Sequence, residues 1–302
     1  MKTPDFIGVG GLSYDLILSV ERLPSSDDKI PATFVGRLPG GFIANATCAA
    51  ARFGLNTSYI GWVGEDAEGK MLAREFVRYG INVEGLVHVP NEVTPFTVVI
   101  VNEDGERAII IPGAALYDQP LTEAQLAFAQ QAQIVFTYPR DEVWCHSLAD
   151  AAHFGGGIFA LDVETTSPLT GDALSRAIEL ADVVFVTQQS LLLAGVTSLE
   201  QLSQPRWVIM TAGKSGAYGF DTALQQLIHQ PAFPVKTVDT TGAGDCFHAA
   251  VLAAWRWGWS LRKALAFASA AAAIKIQHQG ARSGLPTRAE VETLLSRVPQ
   301  RT

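Results

Sequence analysis

Val238-Asp239-Thr240-Thr241-Gly242-Ala243-Gly244-Asp245 leads without interruption into Cys246-Phe247-His248-Ala249-Ala250-Val251-Leu252-Ala253-Ala254-Trp255. Two small glycine positions followed at once by a strongly helical segment place free amide groups at a helix N-terminus, where they can hold an anion. Asp245 falls in the first turn, where the helix dipole favours its ionised form by about 0.3 to 1 kcal/mol at an exposed position. An ionised carboxylate beside an anion hole repels a resting phosphate. Its presence makes chemical sense if it accepts a proton from a hydroxyl attacking that phosphate, with backbone donors on the other side for the developing charge. An ordinary helix-capping Asp would explain Asp245 alone and leave the rest of the string a coincidence.

Two other glycine-rich stretches compete for the role of phosphate cradle. Gly8-Val9-Gly10-Gly11-Leu12-Ser13 nearly matches the dinucleotide fingerprint, but Ser13 stands where the third Gly belongs. Leu12, Tyr14, Leu16, Leu18 and Val20 then alternate at period two, a strand, where the fingerprint needs a helix. This argues against a dehydrogenase. Thr211-Ala212-Gly213-Lys214-Ser215-Gly216 contains Gly-Lys-Ser, yet Val208 occupies the position a P-loop gives to Gly, and Ala217 to Phe220 reads as a strand. The stretch is a turn between strands, either an ordinary hairpin or a loop whose backbone approaches a nucleotide.

Around these loops the chain alternates. After Pro112 the pattern predicts helix Thr122 to Gln131, strand Ile134 to Phe136, helix Glu142 to His153, strand Ile158 to Leu161, helix Gly171 to Leu180 and strand Val183 to Val186. That spacing implies a parallel sheet with helices on both faces. Nearer the N-terminus, Ile43 to Phe53 is a helix closed by Gly54, Thr57 to Val63 a strand, and Glu68 to Tyr79 a helix ended by Gly80. Extended segments concentrated at about 12–38 and 82–112 break the alternation and predict a small β-sheet appendage, a lid. Within it Glu103-Asp104-Gly105-Glu106 reads as a hairpin turn.

Of 302 residues, 22 are Lys or Arg and 30 Asp or Glu, a formal charge of −8 that argues against a nucleic-acid binder, which needs a basic face. Hydrophobic residues at 48% against charged ones at 17% supply a large core. The longest mainly apolar run, Ala264 to Ile274, is bounded by Lys263 and Lys275 and is too short to span a bilayer, so it reads as a buried helix. No secretory leader is visible, and a cytoplasmic protein is expected. Cys48, Cys145 and Cys246 are widely spaced and are expected to be buried free thiols.

The Asp239-Thr240-Thr241-Gly242-Ala243-Gly244-Asp245 string resembles the C-terminal signature of the ribokinase-like (PfkB-type) carbohydrate kinases. Pro39-Gly40-Gly41-Phe42-Ile43-Ala44-Asn45 is similar to that family's N-terminal signature. Asp15, Gly61 to Asp66, Asp104 to Arg107 and Thr211-x-Gly213-x-x-Gly216 match in the same order, as does Phe267 to Pro286. The resemblance covers residues 1–302 as one kinase domain and implies a three-layer α/β/α fold with a mainly parallel central sheet plus the small β-sheet lid. The implied activity is ATP-dependent phosphorylation of a primary hydroxyl of a sugar or sugar derivative.

By the same resemblance, Asp245 is the general base, and the amides of Gly242, Ala243, Gly244 and Asp245 form the anion hole. Asp15, Gly40, Gly41 and Asn45 contact sugar hydroxyls. Gln189, Thr211, Gly213, Gly216, Gly242, Gly244 and Ser269 fall to ATP. Mg2+ arrives with the nucleotide, and Asp239, Thr241 and Gly280 are the positions for a monovalent cation, K+ in many members. The sequence departs from the family after Val186, where Gln189 stands at the position of an expected Glu that orients magnesium through water. The C-terminal part looks closest to the branch that includes the sulfofructose kinases. Arg140 and Arg107 are placed where a guanidinium can reach an anionic substituent on the sugar, against the alternative that each is a surface arginine. His248 reads as helix packing. A nucleoside kinase of the same fold, or a catalytically weakened sugar-binding regulatory protein, are the competing functions. A homodimer joined through the lid is expected, with no nucleic-acid or membrane partner.

Overall fold

The computed structural model describes residues 3–104 and 106–297. In chain order, β1 (Phe6–Val9), β2 (Ser13–Ser19), β3 (Thr33–Gly40), α1 (Phe42–Arg52), β4 (Thr57–Gly64), α2 (Ala67–Arg78), β5 (Asn82–Val89), β6 (Phe96–Val101) and β7 (Arg107–Ile110) form the N-terminal part. Alternation follows through α3 (Glu123–Ala129), β8 (Ile134–Thr137), α4 (Glu142–Phe154), β9 (Ile158–Val163), α5 (Gly171–Glu179), β10 (Val183–Val186), α6 (Gln188–Leu193) and β11 (Trp207–Thr211). The chain closes with β12 (Ala217–Asp221), β13 (Gln226–Gln230), α7 (Ala243–Arg256), α8 (Leu261–Lys275) and α9 (Arg288–Arg297).

A nine-stranded sheet runs in the order β13-β12-β11-β10-β9-β8-β1-β4-β5, parallel from β11 to β5, with β12 antiparallel at the Gly213 turn. Its central strands are buried on both faces. In β10, Val183 and Phe185 point to the core shared with α1, α7 and α8, while Val184 and Val186 point to the core shared with α4 and α5. This two-sided burial explains why the strands read as continuous apolar runs. It makes the fold the three-layer α/β/α arrangement expected, and the run Ala264 to Ile274 lies in α8, largely buried against α7 and the β12–β13 end of the sheet. The order in which strands are added reverses at β1, from which the chain runs to β4 and β5 on one side and later to β8 and beyond on the other. Ligand crevices in such sheets open at the strand C-terminal ends near this point.

A second sheet, β3-β2-β6-β7, joins β2 to β6 in parallel and closes with the β6–β7 hairpin. Gly105, in the predicted turn, lies outside the described residues. The predicted lid boundaries need two corrections. The Val83 to Val89 segment belongs to β5, which extends the large sheet beside β4. Strand β3 continues to Gly40, past the expected limit near 38, so Pro39 and Gly40 belong to the small sheet. The three cysteines are free and buried, as expected, and burial pushes the thiols of Cys48 and Cys145 up to about 11 and about 12. Among the described residues no helix is long and apolar enough to cross a membrane.

Candidate active site

Two helix N-termini meet at the crevice. Helix α1 starts at Gly41, whose φ of 89° suits glycine and where a Cβ would lie 3.1 Å from the Gly11 carbonyl. Helix α7 starts at Gly242, φ 75°, where a Cβ would come within 2.5 Å of the Ala281 carbonyl. Gly242 offers no side chain to cap the helix; the Ala243 amide donates to the Thr240 carbonyl at 3.1 Å, which leaves the amides of Gly244 and Asp245 for another acceptor. A Cβ on Gly244 would enter open space, with only the His248 ring at 3.9 Å. That space, beside unused amides, fits a phosphoryl group.

The residues expected to hold a sugar are connected. Asn45, 6% exposed in the first turn of α1, donates from Nδ2 to Asp245 Oδ2 at 2.8 Å. Arg282, in the stretch after α8, donates from Nε to Asn45 Oδ1 at 2.9 Å and from Nη2 to the Gly40 carbonyl at 2.8 Å. A Cβ on Gly40 would lie 2.9 Å from Asp15 Oδ1, and Thr97 donates its hydroxyl to that same oxygen. Burial raises the Asp15 pKa against the opposing effects of Thr97 and the Arg282 charge. Arg282 and Thr97 escaped the sequence reading. Arg282 sits within Gly280-Ala281-Arg282-Ser283-Gly284-Leu285-Pro286, where only its lone charge could have drawn notice, and its partner Asn45 lies 237 residues away.

Asp245 differs from the local expectation. Protein mass around its carboxyl strips away water and raises its pKa to about 7, while the Asn45 hydrogen bond and the nearby His248 charge hold it down. Desolvation outweighs the dipole contribution, whose size applies at exposed helix ends. His248 does more than pack. It lies within hydrogen-bond distance of Asp162, Nδ1 to Oδ2 at 3.0 Å, and stacks on Phe185 with ring centroids 4.3 Å apart. Burial disfavours its charged form, but Asp162, Asp245 and Glu164 together raise its pKa. Glu164, just past β9, is raised by burial and by Asp162.

Most of the positions expected to meet the nucleotide lie at or just past the C-terminal ends of β10 and β11. Thr211 ends β11, and Gly213 (φ 53°) and Gly216 (φ 95°) shape the tight turn into β12, closed by the Ala212 amide donating to the Gly216 carbonyl at 2.8 Å. Gln189 is exposed in the first turn of α6, directly after β10. Ser269 is buried within α8 at 7% exposure. Among the described residues no group of three or more His, Cys, Asp or Glu is arranged to hold a metal. Asp239 accepts through Oδ1 from the Thr241 amide and hydroxyl at 2.8 and 2.7 Å, and through Oδ2 from the Gly280 amide at 2.8 Å.

The two arginines part company. Arg107, exposed on β7, reaches from the small sheet to donate from Nη1 to Thr241 Oγ1 at 2.8 Å, just before the start of α7. Arg140 has a structural task in place of the expected reach toward a sugar substituent. Its guanidinium bonds the carbonyls of Tyr117 and Gln119 and the carboxylate of Asp141, and lies 4.0 Å over the Trp144 ring. It ties the segment before α3 to the start of α4.

Residues 5–288 match the family described as pfkB family carbohydrate kinase. A ribokinase of Bacillus subtilis (strain 168) is 30% identical over 292 residues, 95% of this chain and 98% of that protein. A nucleoside kinase of Methanothermobacter thermautotrophicus is 26% identical, across 95% of this chain and 94% of its own. The Arabidopsis thaliana ribokinase structure, complexed with ribose and ATP, superposes with a TM-score of 0.86 at 30% identity, covering 98% of this chain and 100% of that one. With the glycine-headed helix, its carboxylate and the two-sheet fold all in place, the chain belongs to the pfkB family of carbohydrate kinases.

Proposed function

We propose that this protein transfers the γ-phosphoryl group of ATP to a primary hydroxyl of a sugar or sugar derivative, with Asp245 as the base. The observation that carries the reading is the carboxylate at the head of α7, raised to about 7 and oriented by Asn45 from the head of α1. A base poised near the working pH is matched to taking a proton from an attacking hydroxyl. The substrate end is formed by Asp15, Gly40, Gly41 and Asn45, polar groups suited to a polyol. Arg282 Nη1 is buried without a hydrogen-bond partner among the described residues, a state costing about 1 to 3 kcal/mol that a substrate oxygen would relieve.

The amides of Gly242 to Asp245 would stabilise charge developing on the transferred group, and Arg107 would add a guanidinium from the small sheet. The Thr211–Gly216 turn would receive the nucleotide, and α8, with Ser269, would back it. Magnesium bound with ATP would neutralise phosphate charge. Gln189 would orient a metal-bound water through its amide. A nucleoside is the second substrate class, favoured by the nucleoside kinase relative. Sugar acids and sulfofructose belong in the panel because of the C-terminal likeness to sulfofructose kinases.

Exposed Phe34, Val35, Ile109 and Ile110 on the small sheet support a homodimer formed there. Light scattering of wild type and Ile110→Glu would read it as a halving of mass.

The deciding experiment is turnover of ATP by wild type and Asp245→Asn against ribose, fructose, deoxyribose, sugar acids, sulfofructose and nucleosides. Turnover of one acceptor that depends on Asp245 establishes the reading. ATP binding with no turnover of any acceptor overturns it in favour of a sugar-binding regulatory protein.

A further inference from the structure

The family resemblance brings with it a monovalent cation at Asp239, Thr241 and Gly280, and Asp239, the charged member of the set, does not fit one. Every oxygen of Asp239 already accepts from a donor of this chain: Oδ1 from Thr241, Oδ2 from the Gly280 amide, and the carbonyl from Lys275 Nζ at 3.3 Å. The neighbouring Ile276 carbonyl accepts from the amides of Val238 and Asp239 at 2.8 and 3.1 Å. A potassium ion is held when bare oxygens replace its hydration shell, and oxygens already turned to donors replace it poorly.

Lys275 is the stronger objection. It ends α8 with no accessible surface at all, where lysine is almost never found unless its charge has a task. Its neighbours are the Asp239 carbonyl and Cys246 in the first turn of α7. A second cation beside this ammonium in a low-dielectric interior would be repelled. An ammonium near the positive end of a helix is itself unfavourable, unless the site is meant to attract an anion.

We propose that the Lys275 ammonium is a built-in substitute for an activating monovalent cation. It fixes the Asp239–Gly242 loop through the Asp239 carbonyl and adds positive potential behind the anion hole, so the enzyme is indifferent to potassium. Lys275 is a positioning residue, acting through the loop. The inference rests on the kinase reading for its consequence, but its binding arm does not.

Wild type, Lys275→Met and Lys275→Ser are compared in potassium, sodium and tetramethylammonium chloride at equal ionic strength, by melting temperature without substrate and by turnover of the accepted sugar. The expected wild-type melting temperature and kcat are the same in all three salts. Lys275→Met loses about tenfold or more in kcat with a smaller change in sugar KM. Lys275→Ser, which opens space and exposes the Asp239 carbonyl, gains stability and part of its lost turnover in potassium alone. A potassium-specific rise in wild-type melting temperature or kcat overturns the proposal, as does full activity of Lys275→Met. The wild-type arms decide even if a variant fails to fold. If no sugar is turned over, the kinase reading fails, while the melting temperatures still report whether the site takes potassium.

Discussion

Asn45 and Asp245, 200 residues apart in the chain, are joined by a 2.8 Å hydrogen bond from amide to carboxylate, and the amide's other end is fixed by Arg282. An asparagine amide can turn either face to its partner, so Arg282, by donating to Oδ1, is what presents Nδ2 to Asp245. That donation helps hold the Asp245 pKa down. Arg282→Met should therefore move the acidic limb of kcat/KM to higher pH as well as lower its plateau. The unpaired Gly40 carbonyl and Asn45 Oδ1 should cost about 1 to 3 kcal/mol of stability. A plateau loss with an unmoved limb would reduce Arg282 to a structural role.

Asp245→Asn should lose about 10²- to 10⁴-fold in turnover with folding intact. Its stability should change in the opposite sense. The folded carboxyl titrates near 7 and the unfolded one near 3.8, so the folded state holds its proton more tightly. The wild type consequently loses stability as pH rises from about 4 through 7, where ionisation in the folded state is disfavoured. The variant, which never ionises, should be more stable than wild type by about 1 to 3 kcal/mol at pH 8 and by little at pH 4. Chemical denaturation at both pH values measures this, and equal differences at the two would refute the raised pKa.

The glycine string and the apolar alternation made the helix bearing Asp245 and the parallel sheet legible, because both depend on near neighbours. The segment Val83 to Val89 shows where that stops. An extended stretch looks the same in either sheet, and only pairing with Thr57–Gly64 puts it in the large one. The Asp245 pKa departs from the local expectation for the same reason: the dipole is local, whereas desolvation is imposed by protein that the fold packs around the carboxyl. Arg282 and Lys275 read as isolated charges in an apolar tail, and their tasks appear only when Asn45 and Asp239 are brought beside them.

His248→Phe should raise the Asp245 pKa, since the imidazolium is one of the groups lowering it, and so shift the acidic limb of kcat/KM upward. It also leaves Asp162 without its partner, at a cost of about 3 to 5 kcal/mol. The folded histidine has a raised pKa, so its contribution is complete below the unfolded value of about 6.5 and fades as pH rises through the folded value. The stability gap between wild type and variant should narrow from pH 6 to pH 9. A gap constant across that range would mean the ring acts by packing on Phe185 alone.

Arg107 is the described contact by which an exposed charge of the small sheet reaches the anion-hole loop, through the Thr241 hydroxyl that also donates to Asp239. As an exposed side chain, it should contribute little to stability, and Arg107→Ala should lie within about 0.5 kcal/mol of wild type. Its effect on turnover should be larger. A guanidinium beside a transferring phosphoryl group stabilises charge that is greatest in the transition state, so kcat should fall by at least about tenfold while sugar KM changes less. Arg107→Lys keeps the charge but not the planar fork and should recover only part of the loss. If Arg107→Ala raised KM for the sugar and left kcat alone, the arginine would be a substrate contact; if it changed neither, the link to Thr241 would be incidental to the chemistry.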